Sequence, residues 1–236
     1  MKHPVNIICV KTGNKYTSRD VTRLYRMVER NCALPFYFYC LTDNTADLPS
    51  EVIGIQIDKQ FELESYWWKM CLFNLDWKEP TVYFDLDIII QNNFDHLLDN
   101  FDPNKILTIR PDDAGIDRTY ESFTKHIAII NTSIMVFQPS QHKKFFDKFI
   151  ENVDYNILEY FGMDRYISSC YLSHCDFISY NDYYYRWKDD KTPSCLTKVK
   201  IIDGIKYVLA HDPSKSFCII SQTHPDMYQG LEEYFL

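Results

Sequence analysis

Apolar positions in the first sixty residues fall into two patterns that alternate along the chain. Val5 to Lys11 is a run rich in β-branched residues that stops at Thr12-Gly13-Asn14, which predicts a strand running into a turn. Thr17 or Ser18 then stands where a helix cap belongs, and Val21, Leu24, Tyr25 and Val28 follow at the i, i+3, i+4, i+7 spacing of one buried helical face. Phe36 to Leu41 is a second apolar run, closed by Thr42-Asp43-Asn44, and Val52 to Ile57 is a third after the Pro49-Ser50 turn. Strand, helix, strand in that order predicts a parallel sheet covered by helices.

Farther along, Ser65 to Leu75 predicts a helix holding Tyr66-Trp67-Trp68-Lys69-Met70, and Thr81 to Phe84 the next strand. A short helix is expected around Phe94 to Leu98, a strand at Ile106 to Arg110, and a loop at Pro111 to Gly115. Strand character resumes over Ile127 to Phe137 with an interruption at Asn131-Thr132-Ser133, and helices are predicted over Ser140 to Val153 and Asp164 to Leu172. Short strands are expected at Val199 to Ile202, Lys206 to Leu209 and Phe217 to Ile220. Neither an internal repeat nor a Gly/Pro/Ser-rich linker divides the chain, so residues 1–236 are taken as one domain.

The strand at Thr81 to Phe84 ends in Asp85-Leu86-Asp87. Residues i and i+2 of a regular strand face the same side, so the two carboxylates are expected to converge on one ligand. In open α/β sheets ligands bind beyond the carboxyl ends of the strands. Two acids at the edge of an apolar strand repel each other and are costly to desolvate without a compensating cation. Oxygen ligands suit Mg²⁺ or Mn²⁺, which take one or two protein carboxylates and let substrate phosphates complete the shell. The bland alternative is a solvated turn.

Taken with its surroundings, this segment resembles the GT-A glycosyltransferases, particularly the glycogenin-like (family 8-like) enzymes and related bacterial and viral ones. The likeness rests on pieces in matching order: residues Val10 to Tyr16, Cys40-Leu41-Thr42-Asp43, Trp67 to Phe73, Val82 to Asp87, Asn131 to Phe137 and Gly162-Met163-Asp164. It implies a Rossmann-like, mostly parallel central sheet flanked by helices, with a small antiparallel acceptor-side portion. Residues 1–100 would form the nucleotide-sugar-binding half and residues 101–236 the acceptor side. It also implies transfer of a sugar from a nucleotide-diphosphate sugar, by default a UDP-sugar, to a carbohydrate, glycan or protein acceptor.

On this resemblance Thr12 lies by the base or ribose and Tyr16 stacks on the base. Lys69 reaches the diphosphate, and Asp85-Leu86-Asp87 holds the metal-diphosphate, with Asp85 and Asp87 as metal ligands. Asn131 and Asp164 match positions near the transferred sugar; Arg165 stands where the family usually has Gln. The third metal ligand is expected at His224, with Ser221 as the strict-alignment alternative and His211 as a fallback. An inverting reaction would use a base such as Asp164 near the acceptor hydroxyl; a retaining one would not.

Charge removes some functions. Lys and Arg number 25 against 33 Asp and Glu, a net charge of −8, which works against nucleic acid or anionic lipid as a partner. The N-terminal apolar run is too short for a signal-peptide core and nothing approaches the length of a membrane span, so a cytoplasmic protein is expected. The eight cysteines are scattered without CxxC pairs, which favours buried reduced thiols over a disulfide framework or a zinc site. Trp67 and Trp68 are expected in the core, and Tyr183, Tyr184, Tyr185 and Trp187 either in a core rim or along an acceptor groove.

Two rival functions remain at this level. A D-x-D phosphohydrolase would use the first Asp as nucleophile, though such motifs usually lie near the N-terminus and are followed by Thr or Val, whereas Ile88 follows Asp87 here. A non-catalytic nucleotide-sugar-binding protein is suggested by Arg165.

Overall fold

The computed structural model describes residues 4–58, 63, 65–99, 101–110, 125–188, 199–202, 205–208, 212–220 and 231–235. Its first unit is β1 (Val5–Lys11), α1 (Ser18–Asn31) and β2 (Phe36–Thr42), followed by β3 (Ile53–Gln56). Helix α1 starts where the sequence predicts: Thr17 is its N-cap, and the Asp20 carboxylate accepts the Thr17 backbone N–H at 2.8 Å. Its buried face is Val21, Leu24, Met27 and Val28.

Strands β4 (Thr81–Phe84) and β5 (Ile88–Ile90) come next, then β6 (Ile106–Ile109) and β7 (Asn131–Phe137). Three helices follow: α2 (Pro139–Ile150), α3 (Val153–Tyr160) and α4 (Met163–Tyr171). The last strands are β8 (Cys175–Phe177), β9 (Tyr183–Lys188), β10 (Val199–Ile202), β11 (Ile205–Val208) and β12 (Phe217–Ile220).

Seven strands form one sheet in the order β3-β2-β1-β4-β7-β6-β8, and five form another in the order β10-β11-β9-β12-β5. In the larger sheet β1 pairs parallel with β2 and β4, β2 with β3, and β6 with β8, while β7 runs antiparallel to both β4 and β6. The smaller sheet is antiparallel except for the β12–β9 pair. This is the expected α/β architecture, a mostly parallel sheet between helices with an antiparallel portion beside it.

Alternation along the central strands splits the core into two layers. Ile7 and Cys9 of β1 and Val82 and Phe84 of β4 pack toward α1 with Val21, Leu24 and Val28. Ile8 and Tyr83 face the other way, toward Trp67, Phe73, Phe145, Phe149 and Tyr166. Trp67 and Trp68 are core residues, 3% and 9% exposed. The period-2 rule therefore puts Tyr83, and Asp85 after it, on the face opposite α1.

Several elements depart from the sequence reading. Ser65–Asn74 is a 3₁₀ helix, not an α-helix. Its apolar residues lie on every side, so no 3.6-residue stripe selects the α form. Asn131 to Ser133 belong to β7 itself; they sit in a bulge, since Thr108 pairs with Met135 but Ile109 with Asn131. Residues 127–130 lie outside that strand. Helix α3 was not expected, because Tyr155 and Leu158 on it are 59% and 69% exposed and spoil its amphipathic pattern. Among the described residues no helix is long and apolar enough to cross a membrane.

Candidate active site

The site begins at the carboxyl ends of β1 and β4. After β1 the chain turns through Gly13 at φ 60°, whose N–H donates to the Asp43 carboxylate at 2.9 Å, and this anchors the segment carrying Thr12, Lys15 and Tyr16. After β4 the regular strand stops at Phe84. The Ile88 N–H donates to the Asp85 carbonyl at 3.2 Å, so Asp85 and Asp87 are brought together by a turn and not by strand alternation. That turn carries the chain from the large sheet into β5 of the small one.

Ten residues line a cavity of about 150 Å³ here, among them Thr12, Lys15, Tyr16, Tyr66, Lys69, Tyr83, Asp85, Leu86 and Asp87. Six of the positions singled out from the sequence thus meet on one surface. The Leu86 side chain itself is 2% exposed and belongs to the α1-side core. Asn131 and Asp164 are not in the cavity wall.

Lys69 grips Asp85 through both oxygens, at 2.8 and 2.9 Å, and the buried Tyr83 hydroxyl donates to the same carboxylate. Burial disfavours the Lys69 charge, but the charges of Asp85 and Asp164 outweigh it and hold the ammonium pKa above its ordinary value. Burial and the Asp85 charge push the Tyr83 phenol well up, so it stays a donor. Asp87 accepts the Tyr16 hydroxyl at 2.7 Å, with the Lys15 ammonium 4.0 Å away. Its pKa is raised, first by burial and then by the Asp85 charge, against the opposing pull of Tyr16 and the two lysines.

Asp164 lies beyond Lys69, in the first turn of α4. Burial raises its pKa, opposed by Lys69 and by the backbone N–H and hydroxyl of Thr132, both of which donate to its Oδ1. The β7 bulge makes this contact possible. The Thr108 hydroxyl lies 2.9 Å from the carbonyls of Asn131 and Ile134 and bridges them, and the Ser133 carbonyl accepts the Asp85 N–H at 2.9 Å. Asn131 turns its Oδ1 back to the Ser133 N–H at 2.9 Å. Hydrogen bonds therefore join Asn131, Ser133 and Asp85 on one side and Thr132 and Asp164 on the other, and the Lys69 charge acts on both acids.

For a divalent cation the chemistry of the donors fits: two hard carboxylates line one cavity, and burial followed by the Asp85 charge disfavours the ionised Asp87, a cost a cation would relieve. Among the described residues no group of three or more acids, histidines or cysteines is arranged to hold a metal. His224, His211 and Ser221, the candidates for a further ligand, lie outside the described residues.

Four residues of the site were not singled out from the sequence as functional. Tyr83, Lys15 and Tyr66 look like core or surface residues in a linear reading, and Thr132 gains its role only from the bulge. Tyr16 keeps a place in the cavity, but its hydroxyl goes to Asp87 and Lys15 stands over its ring at 4.6 Å.

No family model and no curated protein matches the chain. Solved structures do. The galactosyltransferase LgtC, determined in complex with donor and acceptor sugar analogs, superposes with a TM-score of 0.64 at 10% identity, over 97% of this chain and 93% of that one. The glycosyltransferase GlyE of Streptococcus pneumoniae matches with a TM-score of 0.55 at 12% identity, over 75% of this chain and 46% of GlyE. Mouse xyloside xylosyltransferase 1 matches with a TM-score of 0.53 at 10% identity, over 78% and 88%. At such identities the likeness is one of architecture: the chain has a GT-A-type glycosyltransferase fold.

Proposed function

We propose that the chain is a glycosyltransferase that takes a nucleotide-diphosphate sugar, with UDP as the carrier, and passes the sugar to a carbohydrate, glycan or protein acceptor. The observation that carries this reading is the meeting of Lys69, Asp85, Asp87, Tyr16 and Thr12 in one cavity at the carboxyl ends of β1 and β4. That is where an α/β sheet presents a ligand, and the residue types suit a diphosphate and its counter-ion.

In this proposal Asp85 and Asp87, with His224 as a further ligand, hold Mn²⁺ or Mg²⁺. When bound, that cation supplies positive charge against the departing nucleoside diphosphate. Lys69 remains protonated at neutral pH and places a second positive charge beside the same phosphates, an interaction that strengthens as the glycosidic bond breaks. Tyr83 and Lys69 together fix the Asp85 carboxylate. Asp164 and Asn131 are proposed to act next to the transferred sugar from behind the cavity wall, where the β7 bulge ties Asp164 to Thr132. Transfer is proposed to occur in the cytoplasm; free thiols at every described cysteine suit a reducing compartment.

A hydrolase that uses Asp85 as nucleophile fits the geometry less well. Each Asp85 oxygen keeps a lone pair for a cation, but pairing with the Lys69 ammonium and the Tyr83 hydroxyl lowers the carboxylate's nucleophilicity.

The test is release of nucleoside diphosphate from a panel of nucleotide sugars, with Mn²⁺ or with chelator, by the wild type and by Asp87→Ala. Metal-dependent release from one donor, lost in the variant, is the expected result. A folded wild type that releases nothing from any donor and binds no nucleotide refutes the proposal.

A further inference from the structure

We infer that Tyr66 is the surface on which the transferred sugar ring lies, a substrate-specificity residue of the donor site. This rests on the nucleotide-sugar reading above and goes further by assigning the sugar a place.

Tyr66 opens the 3₁₀ helix whose next turn carries Lys69. In a 3₁₀ helix residues i and i+3 eclipse, one turn and ~6 Å apart along the axis. Tyr66 and Lys69 accordingly line the same cavity. Lys69, tied to Asp85, marks where a terminal phosphate is held. A sugar joined to that phosphate through one oxygen has its ring immediately beside it, and one direction along the cavity wall leads to Tyr66.

The ring is also suited to that use. It is 47% exposed, whereas of the other two phenol rings in the cavity Tyr83 is 1% exposed and Tyr16 has Lys15 over its face. Trp67, itself stacked on Phe149 at 5.0 Å, packs against it at 5.9 Å, and the Tyr66 hydroxyl donates to the Phe161 carbonyl at 3.3 Å. A Cβ at Gly162 would come 3.8 Å from Tyr66 Cε2. The ring is thus held by its hydroxyl and a rigid neighbour, and the bare Gly162 leaves its edge unobstructed. A fixed aromatic face carries partial negative charge and accepts the C–H face of a pyranose without ordering cost.

Phe161, whose carbonyl accepts the Tyr66 hydroxyl, is followed by Gly162 and lies three residues before Asp164. Phe161 has φ 52° and Gly162 φ 156°, two uncommon backbone conformations in succession. The Tyr66 hydroxyl and the start of α4 are therefore set by one turn.

Calorimetric binding of UDP, UDP-glucose and UDP-galactose in the presence of Mn²⁺ by wild type, Tyr66→Ala, Tyr66→Phe and Tyr66→Trp tests this. The expected result has three parts. The wild type binds one UDP-sugar more tightly than UDP. Tyr66→Ala leaves the UDP affinity unchanged but weakens that UDP-sugar roughly three- to tenfold. Tyr66→Phe and Tyr66→Trp retain most of the sugar's contribution. Equal loss for UDP and UDP-sugar in Tyr66→Ala overturns the inference, as does a Tyr66→Phe as weak as Tyr66→Ala, or a wild type to which neither sugar adds affinity over UDP. In each of those cases the donor-site reading survives. A folded wild type that binds no UDP at all overturns both.

Discussion

Replacing Lys69 by Met removes the cation on which Asp85 and Asp164 both depend. The ammonium stands 2.8 Å from Asp85 Oδ1, where a unit charge pair at an effective dielectric of 20 attracts by about 6 kcal/mol. The pair is only 13% and 21% exposed, so solvent screening relieves little of it. Much of the attraction is offset by the cost of burying Lys69, and Tyr83 still serves Asp85 in the variant. Removing one partner of such a pair then costs on the order of 3 kcal/mol. For a chain of this size that is a drop of roughly 6–12 °C in Tm.

The loss depends on pH in a defined way. Lys69 has its pKa raised in the folded state, so its contribution is complete below the ordinary 10.5 and disappears only as pH rises through the folded value. On the acid side the deficit of Lys69→Met shrinks once Asp87 and Asp164, whose pKa values burial raises, take up protons and no longer need a cation. Thermal melts of wild type and Lys69→Met between pH 8 and pH 4, with Asp85→Asn and the double variant completing a cycle, measure this. A Tm loss that is independent of pH, or a cycle with no coupling between the two positions, would refute the reasoning.

Two further outcomes follow from the same geometry. Asp87→Asn keeps an oxygen for the Tyr16 hydroxyl but removes a charge that burial and Asp85 disfavour. Because the folded pKa of Asp87 is raised above 3.8, the native charge costs stability as pH rises past that value. The ligand-free variant should therefore be more stable than wild type by about 1 kcal/mol at pH 7, with the difference vanishing in urea titrations near pH 4. Gly162→Ala should cost about 1–3 kcal/mol in the same titrations, although the nearest atoms to a new Cβ are 3.8 Å away, because φ 156° with ψ 152° strains any side chain. A neutral result would place the strain elsewhere.

Much of the N-terminal half could be read from the chain because its signals are local. The β1 run, its Gly13 turn and the α1 face each declare themselves within one window of residues. The Asp85-Leu86-Asp87 segment was legible as a pair of carboxylates, but the strand alternation used to bring them together was the wrong cause; a turn does it. The bulge in β7 was out of reach, because two strands must be paired before an extra residue is defined. Thr132, whose role is set by that bulge, was hidden with it. The Ser65–Asn74 segment was recognised as helical, yet an apolar surface on all sides does not distinguish 3.6 from 3.0 residues per turn, and the distinction is what aligns Tyr66 with Lys69. Strands β8 and β9 sit in Tyr- and Asp-rich sequence with little alternation to announce them.

The turn from Asp85 to Ile88 leaves β4, inside the large sheet, and enters β5, the outermost strand of the small one. Its two acids therefore sit on the seam between the sheets. Anything that draws Asp85 and Asp87 onto a common centre also braces one sheet against the other, like a rivet through two plates. Occupancy of a small polar cleft would then be felt as stiffness in β5 and β12, whose residues Ile89 and Cys218 lie wholly in the apolar core.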